Sequence, residues 1–423
     1  WAREMCIRDS IIGFKITNEN MWYRGLVNYY TNNQWTTFTQ TSSFDFYSIL
    51  QNPSNPYNYF IGSWGSGLYE YENNELKNHW NSENSPLTTI IPGPYTRVSA
   101  LLYDKAMNVW VLNESETNPI NVLKTDGSWY SFTSKTEISG TPTRDMIITE
   151  NNHIWGILQR KGIFVVDYNN TLENESDDIL KVFYPNDDEG ERIGNEIKCI
   201  AEDKNGHIWF GTDQGVGVFF NPTNFNDNNF IASRIKITAQ LNDTLVTDYL
   251  LKSEQVLSIA IDGGNRKWFG TANSGVYLMN QTCTKEIFNF NIENSPLPNN
   301  RVNSIAIDPK TGEVFFATAK GVVSYRGNAI EPNSVFQNVY VFPNPVRPEY
   351  TGTITITGLV YNTNVKITDI SGNLVYETTS EGGFASWDGK NFLGNRVSTG
   401  VYLVFCTNSD GSDTHITKLL FIN

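Results

Sequence analysis

The stretch "NRKWFGTANSGVYLMN", Asn265–Asn280, holds a turn residue, an aromatic pair, a Gly-Thr step and a second short strand opening on Gly-Val. Four further stretches share that plan: "NGHIWFGTDQGVGVFF" from Asn205, "TGEVFFATAKGVVSY" from Thr311, "NNHIWGILQRKGIFVV" from Asn151 and "YNYFIGSWGSGLYEY" from Tyr57. Before the aromatic, an alternating strand runs into a turn, as in "IKCIAEDKNG", "VLSIAIDGGN" and "VNSIAIDPKTG". The anchors fall at Trp22, Trp64, Trp110, Trp155, Trp209, Trp268 and Phe315, at intervals of 42 to 59 residues. Short alternating strands at such a period mean a β-propeller, in which each four-stranded blade buries its faces only against its neighbours.

The residue types have physical reasons. Asp203-Lys204-Asn205-Gly206 and Asp308 to Gly312 supply turn chemistry, the anchor aromatic wedges adjacent blades apart, and Gly211 and Gly270 allow close backbone approach. Seven anchors predict an all-β fold with a seven-bladed propeller over residues 11–333. The longer intervals after Trp155 and Trp209 hold insertions, Asp167–Glu196 and Asn221–Gln255, where function or a partner contact is expected.

Composition limits the alternatives. With 423 residues, 39% hydrophobic and 13% aromatic, the chain can build real cores. A net charge of −14 opposes non-specific nucleic-acid binding, which depends on many cations displacing counterions from phosphates. No apolar run is long enough for a membrane-spanning helix. Cys6, Cys199, Cys283 and Cys406 show no metal-ligand spacing, and Cys199 and Cys406 read as buried thiols on strands. The opening "WAREMCIRDS", Trp1–Ser10, shares nothing with the repeat, resembles a translated library adapter and is set outside the fold, with the natural start expected upstream.

Beyond a linker at residues 334–338 the pattern changes. "VYVFPNPVRPEY" carries three prolines in six residues, which ends regular pairing, and the strands that follow alternate with period two. Residues 339–423 therefore predict a small immunoglobulin-like β-sandwich. Pro343-Asn344-Pro345, Asp369-Ile370-Ser371-Gly372, Trp387-Asp388-Gly389, Gly400-Val401-Tyr402 and the terminal run from Lys418 resemble the C-terminal sorting domain of the type IX secretion system of Bacteroidota. Together with the last blades, this tail resembles the PorZ family of that system. The resemblance implies a cell-surface, outer-membrane-associated accessory without catalysis. Its implied partners are the sortase PorU with the other attachment-complex proteins, and an anionic lipopolysaccharide. That family carries two propellers before the tail, and one is visible here.

Chemistry is sparse. Metal and nucleophile motifs are absent, and no cofactor is expected; the acidic run Asp187–Glu191 reads as a solvated loop before a Ca²⁺ site. His153 and His207 recur two residues before a blade Trp and read as hairpin residues. Arg266 and Lys267 stand out. The position of Lys267 is apolar in the other blades (Val109, Ile154, Ile208, Val314), so the cation snorkels, pairs with a carboxylate or faces the open end of the ring; a structural ion pair or solvated strand end is favoured over contact with an anionic ligand. Arg347, Lys366, Lys390, Arg396 and Lys418 are further cations available to a phosphate-bearing glycan. Two other functions fit the pattern less well. One is a secreted propeller enzyme or glycan-binding cargo, and the other is a sensor, since "GxIWFGT…GV" strands also resemble two-component regulator propellers.

Overall fold

The computed structural model describes Met5–Cys6 and residues 24–422, apart from 32–33, 90–92, 94, 115–116, 133–135, 242–243 and 328. The fold is all-β: a propeller followed by an immunoglobulin-like sandwich, with only two single-turn 3-10 segments, Thr136–Ile138 and Pro222–Asn224, among the described residues.

Six blades follow one another in the described residues. Blade 1 comprises Phe46–Gln51, Asn58–Gly65, Gly67–Glu72 and Glu75–Trp80, paired antiparallel in that order. Blades 2 and 3 span Thr96–Ser131 and Thr143–Phe183, each with four strands. Blade 4, Ile197–Phe219, has three strands, and Val218 bridges to Ser233 where a fourth would lie. Blade 5, Val256–Phe290, has four strands and blade 6, Val302–Arg326, three. Ahead of blade 1, the hairpin of Arg24–Thr31 and Gln34–Phe44 packs Val27 and Phe38 against Phe46, Tyr69 and Tyr71, as a preceding blade would. Trp22 lies outside the described residues. So does most of Trp1–Ser10, although Met5–Cys6 pair with Tyr30 and Tyr29 on that hairpin.

Each blade's first strand carries a bulge at the same place, as at Phe46/Ser48, Val98/Ala100, Ile197/Cys199 and Val256/Ser258. A bulge tightens strand twist, and its recurrence gives every blade the same exit angle. The anchors then reach the next blade. Trp110 meets Tyr168 (ring centroids 5.0 Å), Trp155 meets Phe219 (5.5 Å), Trp209 meets Phe269 (6.3 Å) and Trp268 meets Phe316 (5.5 Å). All four indoles are buried, each worth about 2–3 kcal/mol of transfer free energy.

An aspartate six residues upstream orients the indole. Asp104, Asp203 and Asp262 accept the Nε1 hydrogen of Trp110, Trp209 and Trp268 at 3.0, 2.9 and 3.3 Å, while the other carboxylate oxygen accepts turn amides. Thr149 takes that place in blade 3, and Trp155 Nε1 there meets no partner among the described residues.

Blade 1 departs from the expectation. Register pairs Phe60 with Leu50 and Gly62 with Ser48, as Trp209 pairs with Ala201 and Gly211 with Cys199. Phe60, not Trp64, therefore holds the anchor position. Trp64 lies four residues on, where its strand crosses to Arg97 of blade 2, and its ring sits 4.9 Å from the Arg97 guanidinium. Phe315 does hold the anchor position of blade 6, packed with Ala317 and Val322.

The tail forms two facing sheets. Tyr340–Phe342, Ile354–Thr357 and Phe384–Trp387 make one; Leu374–Thr379, Asn364–Asp369, Gly400–Thr407 and Thr414–Phe421 make the other. Between them lies one core around Ile356, Val365, Ile367, Trp387, Val404 and Phe421. Cys199, Cys283 and Cys406 are free and buried.

Candidate functional site

The two singled-out cations lie where blades 4 and 5 meet, beside the tail. Lys267 is fully buried. Its Nζ sits 2.9 Å from Asp203 Oδ2 of the preceding blade, donates to the carbonyls of Asn265 (2.9 Å) and Gln281 (2.8 Å), and stands 5.2 Å from the Trp209 ring centroid. A buried ammonium is tolerated only when paired and hydrogen-bonded, and this one is. Burial pushes the Asp203 carboxyl up, but Lys267 and the Trp209 indole outweigh it and hold that group below its ordinary range. Beside them, burial pushes the Cys283 thiol up to about 12.

Arg266 performs a different task. Its Nε donates to Asp262 Oδ2 at 2.7 Å, and its Nη1 donates to Glu381 Oε2 of the tail at 3.1 Å. Both cations thus form ion pairs, the reading that the sequence favoured over a ligand contact. Their charges are spent inside the protein, one between blades and one between domains: Lys267 opens the strand Lys267–Thr271, and Arg266 ends the turn that meets the tail.

That inter-domain contact is a close backbone junction. Ile330 bridges in parallel to Gly382, and its carbonyl accepts the Gly383 amide at 2.9 Å. A Cβ at Gly263 would lie 2.0 Å from the Ile330 oxygen, and one at Gly382, whose φ is +71°, 2.2 Å from the same atom. Only glycine fits either place. Lys204 of blade 4 pairs with Glu331, and the Glu331 amide donates to Pro309 O at 2.8 Å. Asn333 and Gln337 then donate to Leu359 and Gly358, so the segment expected to be a linker lies against the tail. None of these contacts was evident from the sequence: Glu331 and Glu381 carry no motif, and the Gly263-Gly264 pair reads as an ordinary turn.

The sorting-motif residues serve the sandwich itself. Asn344, between cis-linked Pro343 and Pro345, donates to Lys418 O at 3.0 Å and accepts the Leu420 amide at 3.1 Å, pinning the last strand. Asp369 accepts the Ser371 and Asn373 amides around Gly372, and the Asn373 side chain holds its carboxyl below the ordinary range. Trp387 donates to Lys390 O at 2.7 Å, Asp388 accepts the Lys390 amide, and a Cβ at Gly389 would press on Phe421 at 3.0 Å. Gly400 opens the strand that pairs with Phe421 at its far end, and the Lys418 side chain is exposed.

Among the tail cations Lys390 and Arg396 bridge through their backbones, and Arg396 lies against Arg347. Lys366 pairs with Glu377 (3.7 Å), Lys390 with Asp388 (3.3 Å), and Arg396 donates to the carbonyls of Arg347 and Tyr350. In the first insertion Asp187 accepts the Glu191 amide and pairs with Arg234 at 3.1 Å. Among the described residues no group of three or more His, Cys, Asp or Glu side chains is placed to hold a metal ion. His207 lies 3.3 Å from Asp203, and burial lowers the pKa of His153.

Comparison with known proteins places these features. Residues 340–422 match the secretion system C-terminal sorting domain, and residues 192–214 match the two component regulator propeller repeat. Among solved structures the chain is similar to PorZ of Porphyromonas gingivalis, described as an essential bacterial surface component of the type IX secretion system. Identity is 29%, the TM-score 0.69, and the likeness covers 95% of this chain and 56% of PorZ. The chain is PorZ-like. Unlike the sandwich alone, the PorZ likeness takes in the propeller, the junction and the tail together. An extracellular domain assigned to a hybrid two-component system of B. thetaiotaomicron (13% identity, TM-score 0.51, 98% and 55% of the two chains) shares the fold. So does streptogramin B lyase (12%, 0.50, 77% and 96%). The chain spans little more than half the length of PorZ. A search of curated proteins finds no match. No helix among the described residues is long and apolar enough to cross a membrane.

Proposed function

We propose that this chain acts in type IX secretion as a cell-surface accessory that keeps its sorting tail, binds an anionic lipopolysaccharide and presents it to the sortase that anchors cargo. The observation that carries the proposal is the junction at Gly263, Ile330 and Gly382. A tail meant only for removal needs no shape-matched seat, whereas here two glycines and the Arg266–Glu381 pair tie it to blade 5, and the Lys204–Glu331 pair holds the segment leading into it against blade 4. The PorZ likeness supplies the secretion context.

The test is genetic and chemical. Deleting the gene leaves sorting-tail cargo unprocessed at the cell envelope, and mass spectrometry of the surface protein finds Lys418–Ile422 still attached. A mature end near Pro343, or normal cargo processing in the deletion strain, overturns the proposal. Replacing Gly263 by Val, which cannot avoid the Ile330 carbonyl, unseats the tail; limited proteolysis then cuts within residues 330–338, where the parent chain resists.

A further inference from the structure

Blade 1 differs from its neighbours at three facing positions. Glu70 stands opposite the anchor Phe60, where blades 2 to 5 place Val122, Val165, Val218 and Leu278 opposite their Trp and blade 6 places Ser324 opposite Phe315. Asn78, next outward, replaces Tyr130 and Phe288 of blades 2 and 5. Across the gap, Tyr103 of blade 2 sits where blades 3, 5 and 6 carry Ile148, Ile261 and Ile307. More polar side chains line the wedge, Asn78 and Phe60 are smaller than their counterparts, and a cleft of about 430 Å³ opens between blades 1 and 2, within the size range of small-ligand sites.

The cleft has one chemistry. Glu70 is only 9% exposed, and its carboxylate accepts Asn58 Nδ2 (2.9 Å) and Asn78 Nδ2 (2.7 Å), each oxygen keeping acceptor capacity. The Tyr103 hydroxyl is buried and meets no hydrogen-bond partner among the described residues; burial and the Glu70 charge both raise its pKa, so it stays a donor. Phe60 and Trp80, stacked with centroids 6.3 Å apart, line the apolar side. Two lysines stand at the rim, but Lys77 pairs with Glu72 (3.2 Å) and Glu70, and Lys124 with Glu173. Among the described residues an anion would therefore find no free cation in the cleft, and a buried carboxylate would repel it. A neutral ring bearing hydroxyls on its edge and C–H groups on its face satisfies the carboxylate, the amides, the phenol and the aromatic rings at once.

We infer that the cleft between blades 1 and 2 is a binding site for a neutral saccharide ring, held by Glu70, Asn78 and Tyr103 against Phe60 and Trp80. The assignment does not rest on the secretion proposal, which concerns an anionic glycan and the tail. The ring has two sources, a free oligosaccharide or the sugar of a lipid-linked polymer.

Saturation-transfer NMR on the whole chain tests the site with neutral trisaccharides of hexose, deoxyhexose and N-acetylhexosamine, and with intact and delipidated Bacteroidota lipopolysaccharide. At least one saccharide gives a signal, and its affinity falls about tenfold or more in both Glu70→Leu and Tyr103→Phe. Glu70→Leu installs the residue type of blade 5, and Tyr103→Phe removes one oxygen, so both variants keep the fold. Equal signals from delipidated and intact polymer assign a sugar recognised alone, and a signal only from the intact form a lipid-linked one. Absence of any saccharide signal, or signals unchanged in both variants, overturns the site. Lipopolysaccharide binding insensitive to Glu70 sinks this site and spares the secretion proposal, whereas trisaccharide binding without lipopolysaccharide binding does the reverse.

Discussion

The junctions between blades 4 and 5 and between blades 1 and 2 occupy equivalent places in the array and are filled in opposite ways. At the first, an indole, an ammonium and a carboxylate close the wedge completely, with Trp209, Lys267 and Asp203 in mutual contact. At the second, a phenyl ring replaces the indole, and polar groups line an open cleft. Both place a charge in the interior. The buried Lys267–Asp203 pair locks two blades together, whereas Glu70, met by two side-chain amides and by the half-exposed Lys77 at 3.6 Å, lines space that a ligand can enter.

The largest expected effect lies at the closed junction. Lys267→Ala leaves the Asp203 carboxylate buried without its cation and lowers unfolding stability by about 3 kcal/mol or more, read as a shift in urea midpoint. Adding Asp203→Asn to that variant recovers part of the loss. A double-mutant cycle with no coupling would break the contrast between the junctions.

Next comes pH, where neighbouring carboxyls act with opposite signs. The folded-state pKa of Asp203 is depressed, so its contribution is present above the unfolded value and disappears as pH falls through the folded one. Burial pushes the adjacent Glu202, which accepts the Glu150 amide, up to about 7. Its contribution is complete below the unfolded value of about 4.5 and is lost as pH rises through about 7. Stability measured from pH 3 to 8 therefore declines at both ends. Asp203→Asn flattens the acid side, and Glu202→Gln flattens the neutral side.

The smallest effect sharpens the comparison. Glu70→Leu changes stability by no more than about 1 kcal/mol in either direction, because two lost hydrogen bonds are offset by burying an aliphatic group. A loss comparable to that of Lys267→Ala would mean that Glu70 braces the fold instead of lining a vacancy.

Much of the fold was legible because the same wedge recurs. "IWFGT" and "KWFGT" share a six-residue spacing from their upstream Asp, set by the Asp-to-indole hydrogen bond, whereas in "VFFAT" Asp308 lies seven residues before a phenyl ring that has no donor. Blade 1 misled because Trp64 is the more conspicuous aromatic. The steps Gly62-Ser63 and Gly211-Thr212 place Phe60 in register, and the hydroxyls of Ser63 and Thr212 both serve the strand turn that follows. Arg266 and Lys267 were visible as anomalies, but their partners, Glu381 and Asp203, lie 115 and 64 positions away in the chain, where only the folded path brings them close. Glu70 was silent for the same reason: its oddity exists only relative to the cross-strand neighbour of an anchor.

The seat of the tail also decides how force would travel. A pull on the C-terminal domain enters the propeller at the turn around Gly263, next to the ion-paired Trp209 layer, and spreads first through the best-braced part of the array. The open wedge between blades 1 and 2 is separated from that entry point by blades 3 and 4, so strain applied at the seat would reach the cleft only after crossing their junctions on that side.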